Sequence, residues 1–319
     1  MNFNKEIILE FLSKNDLCTH DEKITFTCIY KDDRDIYRVS CNNINYIYKT
    51  IGSSRKSLDE FEIEFNLMKL IWESSKGNVA MPQPLLLIEN NGFLMTECSG
   101  ITLKDEYYSS LFKLHKRSNV KNTMDLLGKW LGSFHLTTLN EAEYFDCYTN
   151  RRNNLIRMVE SVALVSNDNV SSVMDEVVSY FDKVNAVDNI EFCQLHGNFA
   201  LRNIIVDNNH VSLIDFEDSK KDCIYYDIGM FIAELMNKSI LLFNTFYNNQ
   251  LVQLFTLSYA AEIKFNKKIL DSYILYHLVS SYYEVVNRQK PSSKIKSIFL
   301  SYKKYYNLRL IKSVLANTY

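Results

Sequence analysis

The sequence predicts an α+β fold in two parts: antiparallel strands with one helix, then a largely helical part with an embedded hairpin. Three observations carry this reading. Short β-branched and aromatic runs dominate before Gly100, and helical apolar stripes dominate after it. One island of strand pattern, "NIIVDNNHVSLIDFED", interrupts the helices.

In the first part "KITFTCIY", "RDIYRVSC" and "INYIYKT" read as strands, separated by the polar turns KDDRD and NN. "SLDEFEIEFNLMKLIWES" follows. Phe61, Phe65, Met68 and Trp72 recur at i, i+4, i+7 and i+11, an inward helical stripe, with Ser57 as N-cap and Glu60 three residues on. Pro82 and Pro84 force an extended segment. "LLLIE" and "GFLMTE" around "NNG" then read as a hairpin, making five strands. "TECSG" reads as a hinge, so the expected division is a first lobe at 1–96, a hinge at 97–100 and a second lobe at 101–319. Beyond it "TMDLLGKWLGSFHLTTL", "SSVMDEVVSYFDKV", "DIGMFIAELMNKSILLF" and nearly everything from Gln250 onward read as helix.

Composition bounds the function. With 47 % apolar and 23 % charged residues the chain is ordinary globular protein. A net charge of −2 leaves no whole-chain footprint for nucleic acid. The seven cysteines are scattered without a C-x-x-C, which excludes the usual zinc spacings and predicts free thiols in a reducing cytosol. "MNFNKEIILEFLSKNDL" carries charges inside its apolar stretch, unlike a signal peptide. No window approaches the ~18–20 apolar residues of a membrane span. The expectation is a cytoplasmic protein with no membrane or nucleic-acid partner; the sequence sets no oligomeric state.

The chemistry concentrates in "LHGNFALRN", residues 195–203, and "LIDFED". Asn198 and Asn203 lie five residues apart, and Asp215 ends the second strand of the hairpin with an aromatic behind it. Protein kinases space a catalytic Asp and a metal-binding Asn in this way, then place a metal-binding Asp before Phe. A γ-phosphoryl group needs Mg²⁺ across its oxygens, and hard oxygen ligands on rigid strand ends suit that ion. The first part offers the other half of a nucleotide site. In "YIYK", Ile47 and Lys49 share a strand face, suited to adenine and to phosphates. Glu64 of the following helix is the expected partner of the lysine, with Glu60 or Glu62 as alternatives. The hinge backbone at Glu97 and Cys98 would pair with the adenine edge. There is no glycine in KDDRD and no Walker motif.

These motifs, "HGNFALRN", "LIDFE" and "YYDIG", resemble the aminoglycoside phosphotransferase and choline kinase-like family, across roughly Lys23 to Leu235. The resemblance implies a protein-kinase-like bilobal fold and phosphorylation of a small molecule, with ATP or GTP and Mg²⁺. It implies that Asn203 and Asp215 bind metal, with Glu217 at a second ion, and that His196 and Asp227 are structural. The departure is Asn198, where the family usually carries the catalytic Asp.

An amide cannot accept a proton at neutral pH, so Asn198 is no general base. Three readings stand: a natural enzyme using Asn198 to orient an acceptor that needs no base, an engineered Asp→Asn change, or a nucleotide-binding pseudokinase scaffold. Arg202 would steady a phosphate or an anionic acceptor. Candidate acceptors are a sugar-like metabolite, an amino alcohol or an aminoglycoside antibiotic. The lysine-rich stretches after residue 250 favour a neutral or anionic one.

Overall fold

A computed structural model of the chain describes residues 5–18, 24–31, 35–41, 44–50, 58–74, 79–88, 91–139, 144–165, 168–185, 191–207, 210–238, 245–287 and 294–317. In chain order the elements are α1 (Lys5–Lys14), β1 (Thr25–Lys31), β2 (Asp35–Cys41), β3 (Ile44–Thr50), α2 (Leu58–Ser74), β4 (Val79–Ala80), β5 (Pro84–Ile88), β6 (Gly92–Thr96) and β7 (Ile101–Thr102). Then come α3 (Leu103–Phe112), α4 (Arg117–Thr137), α5 (Tyr144–Ala163), α6 (Asp168–Asn185), β8 (Phe192–Gln194), β9 (Ile204–Asp207), β10 (His210–Leu213) and β11 (Lys221–Cys223). Helices α7 (Tyr225–Asn237), α8 (Thr245–Glu262), α9 (Lys267–Asn287) and α10 (Lys294–Ala316) complete the chain. It divides into two compact units, Met1–Thr102 with Ile204–Glu217, and Leu103–Asn203 with Asp218–Tyr319.

The five strands expected in the first unit form one sheet, in the order β1-β2-β3-β6-β5. Strand alternation assigns its faces. Tyr46 and Tyr48 of β3 are buried in a cluster with Ile8, Leu12, Val39 and Leu94, so Ile47 and Lys49 project from the opposite face. Among its described residues the unit holds two helices rather than the one expected. Ile8 and Leu12, four apart, bury one stripe of α1. Glu10 and Lys14, charges that interrupt the apolar run in the sequence, form an ion pair at 2.6 Å on its exposed side. Cys18, just past α1, is disulfide-bonded to Cys41 at the end of β2, with Cα atoms 6.2 Å apart. This corrects the expectation of free thiols at those two positions; Cys28, Cys98, Cys193 and Cys223 are free. Cysteine usage therefore does not argue for a reducing compartment.

Helix α2 buries Phe61, Glu64, Met68 and Ile71, while Trp72 is 38 % exposed. The inward face thus follows i, i+3, i+7 and i+10, and Trp72 lies off it. Ser57 and the side chain of Glu60 lie outside the described residues. Strands β9 and β10 form the expected hairpin. It is extended by β4 beside β10 and by β7 beside β9 into a second sheet, which is why 204–217 group with the first unit.

Among its described residues the second unit is helical apart from the β8–β11 pair. Its packing centres on aromatic side chains of α7, α8 and the 196–203 loop, with Phe199, Phe231 and Phe255 in mutual ring contact. His277 of α9 is buried, and its Nε2 lies 3.1 Å from the Tyr226 carbonyl, which a neutral imidazole N–H satisfies. Burial, aided by the Arg151 guanidinium, pulls its pKa from 6.5 down to about 3. The folded value lies below the unfolded one, so the unfolded chain takes up the proton first as pH falls. Stability is complete above about 6.5 and is lost progressively toward about 3. We expect a lower urea midpoint at about pH 5.5 than at about pH 7.5, with the difference reduced in His277→Gln. An equal difference in both proteins would contradict the assignment. No helix among the described residues is long and apolar enough to cross a membrane.

Candidate active site

Within the first unit, Lys49 is the centre of a buried polar cluster. Its Nζ donates to Glu64 Oε1 at 2.6 Å and to Asp215 Oδ1 at 3.3 Å, and it lies 5.7 Å from the Phe93 ring centroid. Lys49 and Glu64 are only 4 % and 2 % exposed. An ion pair this deep gives little net stability, because desolvation offsets its attraction, but removing one partner strands a charge at a cost of about 3–5 kcal/mol. Such a pair is weak evidence for a role in folding and fits a role in binding. Gly92 of β6 opposes this part of β3 at φ +140°, and a Cβ there would lie 1.9 Å from the Lys49 carbonyl oxygen. Only glycine permits that approach.

Asp215 follows β10 and adopts φ 71°, a left-handed conformation that costs a non-glycine residue of order 1–3 kcal/mol. Strain of this kind, held at a carboxylate that meets a buried lysine, motivates a functional reading. Phe216 behind it is buried and Glu217 is partly exposed. Ile47 is partly exposed on the Lys49 face. The Glu97 backbone N–H donates to the Asn45 carbonyl at 3.0 Å, and its carboxylate takes Arg38 Nε at 2.9 Å and Nη2 at 2.5 Å. The Cys98 thiol pKa is pushed up, mainly by burial.

Within the second unit, the 195–203 loop hangs from α7. Asp227, fully buried, accepts the backbone N–H of His196 at 2.7 Å and of Gly197 at 3.0 Å. Glu234, seven residues on and so on the same helix face, accepts the Leu201 N–H at 2.8 Å. His196 Nδ1 faces the Asn198 N–H at 3.3 Å. Gly197 has φ +80°, and a Cβ on it would sit 1.9 Å from the Asp218 carbonyl oxygen. The Asn203 Nδ2 donates to the Asn198 carbonyl at 2.9 Å, which makes its amide oxygen the end suited to a cation. Asn198 is held on both sides: its Nδ2 donates to Asp218 Oδ2 at 3.2 Å and its Oδ1 accepts from Arg202 Nη2 at 2.8 Å.

The structure therefore gathers Lys49, Glu64 and Asp215 in one unit and His196, Asn198, Asn203 and Asp227 in the other. Glu62, an alternative partner for Lys49, is exposed. Sequence reasoning missed Glu234 and Asp218. Glu234 had a signal, a carboxylate seven residues after Asp227 in an otherwise apolar helix; Asp218 had none. No group of three or more His, Cys, Asp and Glu able to hold a metal occurs among the described residues. A divalent ion here would need further oxygens, as Mg²⁺ usually takes them from phosphates and water. Asp215 and Glu217 in the first unit, and the Asn203 amide oxygen in the second, are each hard donors of the right kind.

This combination of a lysine–carboxylate cluster beside a five-stranded sheet and a tethered polar loop in a helical unit is that of a kinase-like phosphotransferase. The model of the phosphotransferase enzyme family matches residues 32–250, and the chain belongs to that family. No curated protein matches it. Among solved structures it is similar to the amicoumacin kinase hAmiN in complex with AMP-PNP, Ca²⁺ and Ami, with TM-score 0.63 and 12 % identity over 96 % of this chain and 94 % of that one. It is similar to a glucosamine kinase in complex with glucosamine, ADP and inorganic phosphate, with TM-score 0.67 and 11 % identity over 98 % and 83 %. A Plasmodium vivax ethanolamine kinase gives TM-score 0.59 and 15 % identity over 98 % and 91 %. The fold is thus the protein-kinase-like α+β fold that the motifs implied.

Proposed function

We propose that the protein is an ATP- and Mg²⁺-dependent kinase of a small-molecule acceptor. The observation that carries this is the buried Lys49 shared between Glu64 and Asp215. Lys49 binds the α- and β-phosphates and Glu64 orients it. Asn203 and Asp215 would hold Mg²⁺, with Glu217 at a second ion; a bound ion would offset the charge of the phosphates. Ile47 lies on the adenine. Because the Glu97 N–H is taken by Asn45, a purine edge would meet the Glu97 carbonyl, followed by the Cys98 backbone. GTP is the alternative nucleotide. Residues 1–96 act as the nucleotide lobe, 97–100 as the hinge and 101–319 as the acceptor lobe, in a cytoplasmic protein. His196 and Asp227 set the loop, and Asn198 positions the acceptor.

The acceptor is a sugar-like metabolite, an amino alcohol or an antibiotic, in keeping with the small molecules named for the similar kinases. Asn198 favours a second reading, a scaffold that binds nucleotide without turnover, since an amide takes no proton. ADP release from MgATP, measured against aminoglycosides, hexosamines and amino alcohols, separates the two. We expect one class to raise the rate at least about tenfold over water alone, because an oriented acceptor outcompetes solvent. Background rates with every class, in the wild type and in Asn198→Asp, would leave the scaffold reading standing.

A further inference from the structure

We propose that the second unit carries a binding site, apart from the 195–203 loop, for a free amphipathic carboxylate: a monoanion with an unbranched apolar chain. The site is a cavity of about 760 Å³ between α7, α8 and α9, within the range of about 300–1,000 Å³ that small-molecule sites occupy. Its walls are mainly apolar: Ile232 of α7, Val252 and Ala260 of α8, and Leu270 and Ile274 of α9. Ile232 and Glu234 are two residues apart on α7 and so point about 200° apart around the helix. Glu234 tethers the loop at Leu201, so the cavity meets α7 on the side away from that tether.

The charge of the lining selects the ligand. The stretch KFNKK, residues 264–268, leads from α8 into the first turn of α9, and its Lys264, Phe265 and Lys267 line the cavity. Against these two lysines stands one carboxylate, Asp271, which is 8 % exposed. Lys267 Nζ donates to Asp271 Oδ2 at 2.5 Å, so that pair is neutral as a unit. Lys264 is exposed and forms no ion pair among the described residues. The remaining polar lining, Asn249, Gln253 and Thr256 of α8, is uncharged. One positive charge is therefore left over beside an apolar cavity. A cation would meet like charge there, and a neutral ligand would leave Lys264 unused. A carboxylate at Lys264, with its chain along the walls, complements both features. An ammonium has three donors and the Asp271 bond uses one, so Lys267 can join Lys264 at the head group. Part of the lysine richness after residue 250 thus belongs to this cavity.

The test is calorimetric titration of the full chain with octanoate, decanoate and dodecanoate, and with decanol and decyltrimethylammonium, in wild type, Lys264→Glu and Ala260→Trp. We expect saturable binding of one carboxylate per chain, tightening about tenfold for each two methylenes as the apolar chain is buried. Decanol should bind about tenfold more weakly than decanoate, and the cation not detectably. Lys264→Glu should weaken decanoate about tenfold and leave decanol unchanged. Ala260→Trp should abolish carboxylate binding by filling the space beside the wall. Both positions are exposed, so the urea midpoints should stay at the wild-type value. Decanol or the cation binding as tightly as decanoate overturns the proposal. So does decanoate binding that neither substitution changes, or no carboxylate binding below micelle formation. Co-sedimentation with phosphatidylglycerol vesicles, without binding of free carboxylate, would assign the lysines to a membrane surface and overturn it too. None of these readouts involves nucleotide, so their failure leaves the kinase reading untouched.

Discussion

Lys49→Met is expected to lower turnover by about 10²–10³-fold, the usual loss when one preorganised donor to a charged transition state is removed. The same change should destabilise the fold, because Glu64 is buried and loses the partner 2.6 Å away. Breaking a buried pair from one side costs about 3–5 kcal/mol. These two consequences separate in the double variant Lys49→Met/Glu64→Leu. Removing both charges replaces a desolvated pair with apolar groups, so the urea midpoint should return toward that of the wild type while turnover stays lost. If turnover returned with stability, the lysine would be a structural residue and its place beside Asp215 incidental. If Lys49→Met left both quantities unchanged, the buried cluster would have neither role.

Asp227→Ala should be among the most destabilising single changes in the second unit. The carboxylate accepts two backbone N–H groups, those of His196 and Gly197, in a fully buried setting. Each donor left without an acceptor costs about 1–3 kcal/mol, giving roughly 2–6 kcal/mol together. Chemical denaturation reads this directly. Asp227→Asn keeps one acceptor oxygen and should lose less, so the order wild type, Asn, Ala is expected in the midpoints. Activity should fall along the same series, since the loop that carries Asn198 and Asn203 depends on these two bonds. A variant with wild-type stability would mean that α7 does not hold the loop through Asp227, leaving Glu234 as its main tether.

Much of this was legible along the chain, and what was not has physical reasons. Alternation in "INYIYKT" places Lys49 opposite the tyrosines, because a strand repeats every second residue. Glu64 falls between Phe61 and Met68 on one helical face, so its inward direction could be read once the true stripe was drawn through Ile71 rather than Trp72. Helix α1 was obscured because its charged residues look like interruptions when the sequence is read linearly and like one exposed side when wound at helical pitch. The Cys18–Cys41 pairing joins residues separated by 23 positions with no motif between them, so only the packing of α1 against the sheet brings them together. Asp218 illustrates the limit most plainly. Its meeting with Asn198 depends on the backbone contact at Gly197, a tertiary approach that no local pattern encodes.

We propose above all that the Lys49 ammonium, in its setting with Glu64 and Asp215, receives nucleotide phosphates. An acyl-phosphate derivative of ATP, which transfers its acyl group to a lysine lying at the phosphates, tests this most directly when the modified peptides are mapped by mass spectrometry. We expect acylation of Lys49 that excess MgATP suppresses. Lys49 left unmodified, with other lysines reacting equally in the presence and absence of ATP, would contradict it.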